Sequence, residues 1–539
     1  MFRLIFISVI VFNFADAKIT LKEISSKPSG HAKNFMIWQY LKQNITPEQA
    51  DKAYAQVDGN SNKLLYRYAR KTKNKDIKRK VSCMKKQNIF KIKDEKCLEL
   101  AFRPYKTLYL NKNQRKKILN KLNSNSKKEL IKIQAETCSQ KSFEKYDADT
   151  VLSLYNGCGY KYRRKNLNFM LDEKFINSLV KSKRISYFIK TVVNDKKLDK
   201  LQKSLLKLSG ERVNSQSNFF LALNHLKHFD KQSALKHFAW SKSKAKRKIN
   251  VDKNTFWIYQ ITKDKKYLQE LSDSGDINIY SLYASEKLGK NVKNFFTELD
   301  TNGEKSNQKL TNPFVWNRIL KEIQLTPKED LPKLCESYKQ KDMLPVQSYI
   351  LQKTYDYNRH GFIMPYDEYL CDLNVDDRAL VYAIMRQESL LIPSALSRSF
   401  ALGLMQIMPF VTDAISKNIK NPIKSYDEMF LPKNNLKYAL AHIKWMQKSL
   451  YHPLFMSYAY NGGMGFLKKH LKKGTFRDGH FEPFLSMELM ANTESREYGK
   501  RVLANYVIYK KIMGEEISII DLFDTLTDPK KTDRFRAQG

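Results

Sequence analysis

Helical periodicity is the feature that most constrains the fold of this chain. From Lys18 to about Lys290, apolar residues recur at three- and four-residue steps with lysine-rich faces between them, and few stretches alternate as strands do. In the segment 279–289, four side chains share one stripe: Tyr280, Tyr283, Ala284 and Leu288. No repeat of fixed period is visible. We therefore predict an all-α protein whose irregular helix pairs stack as a superhelix, because each pair then buries its stripe against the next.

Length and charge limit the function classes. A chain of 539 residues with 42% hydrophobic side chains exceeds one domain. Its 97 Lys and Arg residues against 55 acidic ones give a formal charge of +42, which attracts polyanions. No zinc, helix-turn-helix or RNA-binding signature is present, so we expect no nucleic-acid partner. The alternative is that the lysines, as in the segment 242–248, only form solvated faces.

The N-terminus has the pattern of an export signal. Arg3 precedes a mainly apolar run of eleven residues at 4–14, and Ala15-Asp16-Ala17 has the small-x-small form of a cleavage site. The run is too short to span a bilayer, and no later stretch is long and apolar enough. We predict a signal peptide at 1–17, a periplasmic mature chain without a membrane span, and, as the alternative, an uncleaved amphipathic helix or anchor.

Six cysteines are present: Cys83, Cys97, Cys138, Cys158, Cys335 and Cys371. An even number in an exported chain indicates disulfides, although six cysteines allow fifteen connectivities. Proximity in sequence favours Cys83–Cys97, Cys138–Cys158 and Cys335–Cys371. No CxxC pair and no histidine cluster with ligand spacing occurs, so we predict neither a metal site nor another cofactor.

A single carboxylate is the strongest catalytic candidate. From Asp376 onward, apolar residues follow the helical period until Pro393, and Glu388 lies on their stripe. Burial disfavours the charged form of a carboxyl group, so we expect a raised pKa for Glu388, as a general acid requires. No other Asp or Glu occurs in the 24 residues 389–412. The alternative is an ordinary helix glutamate that pairs with Arg386 or reaches solvent.

Further polar residues follow Glu388 in apolar surroundings. Ser397 and Gln406 lie in an apolar loop, where a buried hydroxyl or amide needs a partner or a ligand. Tyr460 and Asn461 end an apolar helix beside glycines, and Glu494 begins the helix that continues to Gly514. Taken singly, each is typical of a turn, a cap or a helix end.

The order of these segments resembles a known family. RQES at 386–389, GLMQIMP at 403–409, AYNGGMG at 459–465 and ES-R-x-Y at 494–498 resemble the catalytic domain of the soluble lytic murein transglycosylases, relatives of goose-type lysozyme. Four motifs in one order are far more specific than one. The resemblance continues more loosely at Phe256-Trp257 and 280–289.

The resemblance implies a domain order and an activity. It implies a ring-forming α-superhelical domain at 18–290, a small helical linker domain at 291–360 and a lysozyme-like catalytic domain at 361–539. It also implies a lytic transglycosylase that acts on peptidoglycan, whose peptide carboxylates suit the positive charge. Glu388 would be the catalytic acid and base. The implied substrate-binding residues are Ser397, Met405, Gln406, Tyr460, Asn461, Glu494 and Tyr498.

Two departures from the family pattern affect the expected site. Phe400 stands where relatives usually have glycine, and a bulky residue does not easily take a positive φ. Gly462 and Met464 replace an alanine and a proline, which should change flexibility more than chemistry. Residues 515–539 carry no motif, and we expect them to be partly disordered.

Two other functions remain open at this stage. A hydrolytic muramidase on the same fold would need a base, for which Glu482, Glu488 and Glu497 are candidates. A non-catalytic scaffold would use its basic helices to bind peptidoglycan. The intact Glu388 argues against the scaffold.

Overall fold

The predicted all-α class is confirmed. The structure, a computed structural model, describes residues 19–537, so the predicted signal peptide lies outside the described residues. Within that range, the extended structure consists of strands β1 (Phe295–Phe296) and β2 (His360–Gly361), which pair as one small sheet, and three isolated bridges. No helix between residues 19 and 537 has the length and apolar character needed to cross a bilayer.

The chain divides into two compact units. Unit 1 contains residues 19–73, 296–357 and 361–448, and unit 2 contains residues 74–295, 358–360 and 449–537. Each unit therefore combines segments that are distant in sequence. The domain boundaries given above stay predictions.

The helices are numbered in chain order. Unit 1 begins with α1 (Leu21–Ser26), α2 (His31–Tyr40), α3 (Pro47–Tyr54) and α4 (Asn62–Tyr68). The first part of unit 2 contains α5 (Lys75–Lys85), α6 (Glu95–Ala101), α7 (Lys112–Leu119), α8 (Asn125–Ile133), α9 (Gln140–Phe143), α10 (Ala148–Gly157), α11 (Tyr160–Asn166), α12 (Glu173–Ser178), α13 (Ile185–Val193), α14 (Asp199–Leu205), α15 (Ser215–Lys227), α16 (Lys231–Ser243), α17 (Lys248–Thr262), α18 (Lys265–Ser272) and α19 (Ile279–Lys287).

The chain then returns to unit 1 before it completes unit 2. Unit 1 continues with α20 (Pro313–Leu325), α21 (Leu331–Glu336), α22 (Leu344–Thr354), α23 (Val375–Ser389), α24 (Pro409–Ser416) and α25 (Pro432–Gln447). Unit 2 ends with α26 (Pro453–Gly462), α27 (Met464–Leu471), α28 (Phe484–Glu488), α29 (Thr493–Ile512), α30 (Ile519–Asp524), α31 (Pro529–Thr532) and α32 (Arg534–Ala537).

Consecutive helices of unit 2 pack on one another, as stacked helix pairs require. From α15 to α19, each helix contacts the next along the chain. Phe238 of α16 stacks on Trp257 of α17 with ring centroids 5.8 Å apart, and both rings are fully buried. The apolar stripe predicted at 279–289 forms α19, and Gly289 follows it with φ 65°. Burial of each stripe against the next helix supplies the main stabilisation.

The helices of unit 1 between α20 and α22 enclose a separate apolar core. Trp316, Ile319 and Ile323 of α20 pack with Val346 and Ile350 of α22. Ile392, which lies four residues after Glu388, inserts into the same core. The segment after α23 is thereby attached to α20 and α22.

The expected disorder at the C-terminus is wrong for residues 515–537. This segment forms α30 to α32, and the Arg536 Nε donates to Asp533 at 2.7 Å with both side chains buried. The Arg534 N–H donates to the Ser449 carbonyl, and the Tyr451 N–H donates to the Thr532 carbonyl. The charged and polar residues of this segment indicated a solvated tail in the sequence. In the fold, some of them, such as Arg536 and Asp533, are buried and pair with each other.

The predicted cysteine pairing is right for one pair and wrong for two. Cys83 and Cys97 form a disulfide between α5 and α6, with Cα atoms 5.0 Å apart. Cys138, Cys158, Cys335 and Cys371 are free thiols. Cys335 is buried in the core of unit 1 whereas Cys371 is exposed, so nearness in sequence does not bring these two sulfurs together.

Candidate active site

In unit 1, α23 holds Glu388 on its last turn. The Asn374 side chain caps the helix by accepting the Asp377 N–H at 2.9 Å. Buried residues follow from Ala379 to Met385, and Glu388 itself is half-buried. The sequence therefore placed Glu388 correctly on a helix but overestimated its burial. Part of the residue is exposed to solvent, as a residue that meets a substrate must be.

The chain reverses immediately after Glu388. Leu390 and Leu391 have φ values of 50° and 68°, in the left-handed region. The Leu390 N–H donates to the Arg386 carbonyl at 3.1 Å, and the Tyr366 hydroxyl donates to the Leu391 carbonyl at 3.4 Å. Left-handed backbone costs about 1–2 kcal/mol per residue. Burial of Leu391 and Ile392 offsets this cost and fixes the turn beside the carboxylate.

The segment before α23 braces the helix through side chains. The Arg386 Nε donates to the Gly361 carbonyl at 2.8 Å, and its guanidinium lies 4.0 Å from the centroid of Phe362. The Tyr382 hydroxyl donates to the Pro365 carbonyl at 3.0 Å. Arg378 forms an ion pair with Asp367. These contacts hold the axis of α23, and with it the position of Glu388.

The loop after α23 forms two narrow bridges that hold Ser397 and Gln406. Leu396 pairs with Leu402, and Leu402 pairs with Ile407. The Ser397 hydroxyl accepts the Ala401 N–H at 2.9 Å. The Gln406 Nε2 donates to the carbonyls of Ala395 at 2.9 Å and Gly403 at 2.8 Å. The Gln406 Oε1 accepts no hydrogen bond from residues 19–537, so this half-buried oxygen can accept one from a ligand.

Asn435 of α25 holds this loop, and the sequence analysis did not identify it. The Asn435 Oδ1 accepts the Met405 N–H at 2.8 Å, while its Nδ2 donates to the carbonyls of Leu402 at 2.9 Å and Met429 at 2.8 Å. A Cβ on Gly403 would lie 2.3 Å from both the Asn435 Nδ2 and the Met429 carbonyl oxygen. Gly403, with φ 71°, is therefore required for this contact. An asparagine on an apolar helix face was the available signal.

Met405 is fully buried, and the Asn435 contact uses its N–H. Its side chain therefore has no solvent-facing surface in this conformation. The position supports the loop that carries Gln406.

Phe400 takes the conformation that its bulk disfavours. Its φ is 65°, as expected for the glycine that relatives usually have, and its ring is buried. The ring packs against Phe35 and Trp38 of α2, with centroid distances of 5.4 Å and 5.6 Å. The Lys63 Nζ lies 4.7 Å from the Phe400 centroid and donates to the Ser399 carbonyl at 2.9 Å. Aromatic packing on α2 thus offsets the backbone strain.

Unit 2 brings together the second set of predicted residues. Tyr460 and Asn461 lie on the last turn of α26, and Glu494 and Tyr498 lie on the first turns of α29. The Asn461 Nδ2 donates to Glu494 at 3.5 Å, and its Oδ1 accepts the Ser495 hydroxyl at 2.8 Å. Glu494 is exposed, Tyr460 and Asn461 are half-buried, and Tyr498 is buried. Asn461 and Glu494 therefore form one polar corner.

Two glycines allow α26 and α29 to approach closely. A Cβ on Gly499 would lie 2.3 Å from the Tyr458 Cε1, and a Cβ on Gly462 would lie 2.6 Å from the Ser495 Oγ. The glycine at 462, one of the two departures noted above, is thus required by packing in this chain.

Three acidic residues of unit 2, the candidate bases of a hydrolytic enzyme, have internal partners. Glu488 is buried and binds the Lys500 ammonium with both oxygens at 3.0 Å, and it accepts the Tyr280 hydroxyl at 2.6 Å. Glu497 pairs with Lys500 at 3.2 Å and with Arg496 at 2.8 Å. Glu482 accepts the Ser486 hydroxyl at 2.9 Å.

These environments set the acidity of the carboxyl groups. Burial alone would raise the pKa of Glu497, but the charges of Lys500, Lys253 and Arg496 outweigh it and lower that pKa well below its usual value. Burial raises the pKa of Glu482. The Glu488 and Glu497 carboxylates are therefore part of an ion network that stabilises unit 2.

Solved structures share this architecture. An inactive variant of the lytic transglycosylase Slt from Pseudomonas aeruginosa covers 92% of this chain and 89% of its own length, with a TM-score of 0.51 and 14% identity. The 70-kDa soluble lytic transglycosylase in complex with bulgecin A covers 92% of this chain and 83% of its own, with a TM-score of 0.50 and 14% identity. These matches place the chain in the class of large all-α proteins with this fold. A sequence identity of 14% shows a shared fold and nothing more.

Sequence comparison is more specific. Residues 368–480 match the model of the Transglycosylase SLT domain. A putative soluble lytic murein transglycosylase of Haemophilus influenzae is 27% identical over 206 residues, which are 37% of this chain and 34% of that relative. The soluble lytic murein transglycosylase of Escherichia coli K12 is 27% identical over 183 residues, 33% of this chain and 28% of that relative.

The chain therefore contains a Transglycosylase SLT domain at residues 368–480 and is similar to the soluble lytic murein transglycosylases. The matched stretch spans about a third of the length of these relatives.

Proposed function

We propose that this chain is an exported peptidoglycan lytic transglycosylase. It cleaves the β-1,4 bond from MurNAc to GlcNAc and leaves a 1,6-anhydro-MurNAc end. One observation carries the proposal: Glu388 is half-buried and stands on the last turn of α23 within the matched domain, next to a turn fixed by the burial of Leu391 and Ile392. Export rests on the N-terminal sequence pattern, and a mature N-terminus near Lys18, read by Edman degradation, would support it.

In the proposed reaction, Glu388 acts first as an acid. Its carboxyl proton passes to the glycosidic oxygen as the bond from that oxygen to C1 of MurNAc breaks. The substrate's own N-acetyl oxygen stabilises the positive charge that develops at C1, so no second carboxylate is required.

Glu388 then acts as a base. The ionised carboxylate takes the proton of the MurNAc C6 hydroxyl while that oxygen bonds to C1. The enzyme regains its proton, no water is consumed, and no metal or organic cofactor is part of the scheme.

Other polar groups of the chain are proposed to hold the sugar. The Gln406 Oε1 has no partner within residues 19–537 and can accept the N–H of an N-acetyl group, because the Nε2 is already fixed by two carbonyls. Ser397, Tyr460, Asn461, Glu494 and Tyr498 are proposed as further substrate-binding residues. Met405 is proposed to position Gln406.

Mass spectrometry of the soluble products tests the proposal. Purified mature protein and Glu388→Gln are incubated with sacculi. Muropeptides one water lighter than their hydrolysed counterparts, absent with the variant, would support the transglycosylase. Muropeptides with reducing ends would favour the hydrolytic muramidase, and wall binding without release by either protein would favour a scaffold.

A further inference from the structure

Unit 2 contains a polar cavity of about 410 Å³ that is lined by α15, α16, α17 and α29. This volume is in the range of small-ligand sites. One carboxylate and six cationic side chains line it: Glu497, Lys244, Lys246, Arg247, Lys253, Arg496 and Arg501. The two ion-pair partners of Glu497, Arg496 and Lys500, neutralise its charge. The cavity is therefore strongly positive.

Lys253 is a buried residue in the lining of this cavity. Only 8% of its surface is exposed, and its Nζ lies 4.1 Å from the centroid of Phe219. Its ammonium makes no hydrogen bond or ion pair with residues 19–537. Burial lowers the pKa of Lys253 because it disfavours the charged form, and a bound anion would favour that form again. A buried ammonium without an anionic partner is costly unless a ligand supplies one.

The charges around Lys253 do not include a spare carboxylate. Glu488 and Glu497 are the acidic groups that act on it, and Lys500 and Arg496 act on it with the opposite sign. Both carboxylates already bind Lys500. When Lys253 is protonated, three cations, Lys253, Lys500 and Arg496, face the carboxylates of Glu488 and Glu497. One positive charge then remains for an external anion.

The rest of the lining indicates what kind of anion fits. Asn254 is fully buried, and its Oδ1 has no hydrogen-bond partner in the described part of the chain. An unpaired buried acceptor calls for a donor. The N-terminus of α17 at Arg247 has no side-chain cap, which favours negative charge there. A ligand with both a carboxylate and an N–H group satisfies these requirements.

The cavity lies beside the predicted substrate residues of unit 2. Arg501 follows Glu494 by seven residues on α29, which is two helical turns, so the two side chains lie on the same side of the helix. Thr493, next to Glu494, also lines the cavity. A chain bound at the Asn461–Glu494 corner can therefore extend along α29 into the cavity.

We propose that this cavity binds the peptide of a muropeptide, with a peptide carboxylate on Lys253 and a peptide N–H on Asn254. The inference rests on the proposed function for the identity of the ligand. The positive lining provides affinity for the peptide and leaves the glycan to the other residues. Arg247 and Arg501 make no ion pair within residues 19–537 and complete the site at its rim.

Binding of a defined muropeptide tests the proposal without turnover. Full-length Glu388→Gln is titrated by calorimetry with a disaccharide tetrapeptide, with the same disaccharide after removal of the peptide, and with inorganic phosphate. Lys253→Met should weaken tetrapeptide binding about tenfold and leave the bare disaccharide unchanged. Arg247→Ala, at an exposed site that cannot disturb the core, should weaken tetrapeptide binding about threefold.

Lys227→Met is the matched control. Lys227 is also largely buried in unit 2, but its ammonium donates to the Val193 carbonyl at 2.9 Å and to Gln202 at 3.0 Å, outside the cavity. This variant should bind the tetrapeptide like its parent. Thermal unfolding of every variant shows that it is folded.

Equal tetrapeptide binding by the parent, Lys253→Met and Arg247→Ala overturns the proposal. So does phosphate binding as tight as tetrapeptide binding with the same dependence on Lys253, because the site would then take free phosphate. Product analysis distinguishes failure of this proposal from failure of the proposed function. Peptide binding that depends on Lys253 supports the peptide site even if the wild-type protein forms no anhydro product.

Discussion

Phe400 has a backbone conformation that favours glycine, and its ring accounts for the exception. The ring contacts Phe35 and Trp38, two buried residues of α2, so the loop that carries Gln406 is attached to the first helices of unit 1. At Phe400 the backbone strain lowers the free energy of unfolding, whereas the packing of the ring raises it. Substitution of this residue can separate the two effects.

We expect Phe400→Gly to be less damaging than Phe400→Ala. Loss of the buried ring lowers the free energy of unfolding by about 3–5 kcal/mol in both variants. Glycine also removes the left-handed strain and should recover about 1 kcal/mol of that loss. Urea denaturation measures both values. A glycine variant no more stable than the alanine variant would mean that φ at this position carries no strain.

Asn435 should be essential to the same loop. Asn435→Ala leaves the Met405 N–H and the carbonyls of Leu402 and Met429 without their amide partner, so we expect a loss of at least about 3 kcal/mol in the free energy of unfolding. Hydrogen exchange at the Met405 amide should accelerate. The side chain of the neighbouring Asn434 makes one hydrogen bond within residues 19–537: its Nδ2 donates to the Glu428 carbonyl at 3.2 Å.

Asn434→Ala is therefore the control and should cost about 1 kcal/mol or less. Similar losses for the two asparagines would contradict the role assigned to Asn435.

The sequence could predict Glu388, Ser397 and Gln406 but not Asn435. The first three stand inside motifs that mark a site. Asn435 acts on backbone groups 30 and 33 residues away, and no local pattern records such pairs. For the same reason, the burial of Phe400 on α2 could not be inferred from either segment alone.

At the scale of elements, α29 is the central helix of unit 2. The sequence predicted a helix from Glu494 to Gly514, and α29 does run from Thr493 to Ile512. In the structure it is buried on most sides, including Arg496 and Lys500. Charged residues indicated a solvated face in the sequence, and only the fold shows that Glu488 and Glu497 compensate them.

The Glu497 ion pairs give a pH-dependent prediction. The pKa of Glu497 is lower in the folded protein than in the unfolded chain, so ionised Glu497 stabilises the fold. This stabilisation is complete above the unfolded pKa, near 4.5, and is lost as pH falls from there toward the folded pKa. Glu497→Gln should therefore be less stable than wild type at neutral pH, with a difference that shrinks below about pH 4.5.

Urea denaturation of the wild-type protein and of Glu497→Gln at a series of pH values measures the difference in the free energy of unfolding. Glu516→Gln, at an exposed position beyond α29, should show no such dependence. A stability difference for Glu497→Gln that stays constant down to about pH 3 would contradict the ion-pair account.

Across both units, the cysteines differ in pairing and in burial, and their reactivity therefore tests the fold. The structure has one disulfide and four free thiols among the described residues. Burial raises the pKa values of Cys158 and Cys335 to about 11, so their reactive thiolates form only as pH approaches that value. Cys371 is exposed.

We expect Cys371 to react first with a thiol reagent at neutral pH. Cys158 and Cys335 should react only after unfolding, and unfolding without reductant should expose four thiols in total. Peptide mass mapping identifies each labelled site. Two thiols or fewer would mean that the pairs expected from sequence proximity, Cys138–Cys158 or Cys335–Cys371, do form.

The motif order predicted the similarity to soluble lytic murein transglycosylases, but the sequence could not show how the chain divides into units. Unit 1 joins residues 19–73 to 361–448, and unit 2 joins residues 74–295 to 449–537. Glu388 thus lies in one unit and Asn461 in the other, although the motifs are near in sequence. Local periodicity predicts helices such as α19, α23 and α26, while the grouping depends on contacts between residues hundreds of positions apart.

Digestion of sacculi in water labelled with heavy oxygen shows whether Glu388 cleaves the glycan without water. The account predicts that products released by the wild-type protein carry no label at the MurNAc end and that Glu388→Gln releases none. Labelled reducing ends would contradict it, because the label enters only when water attacks C1.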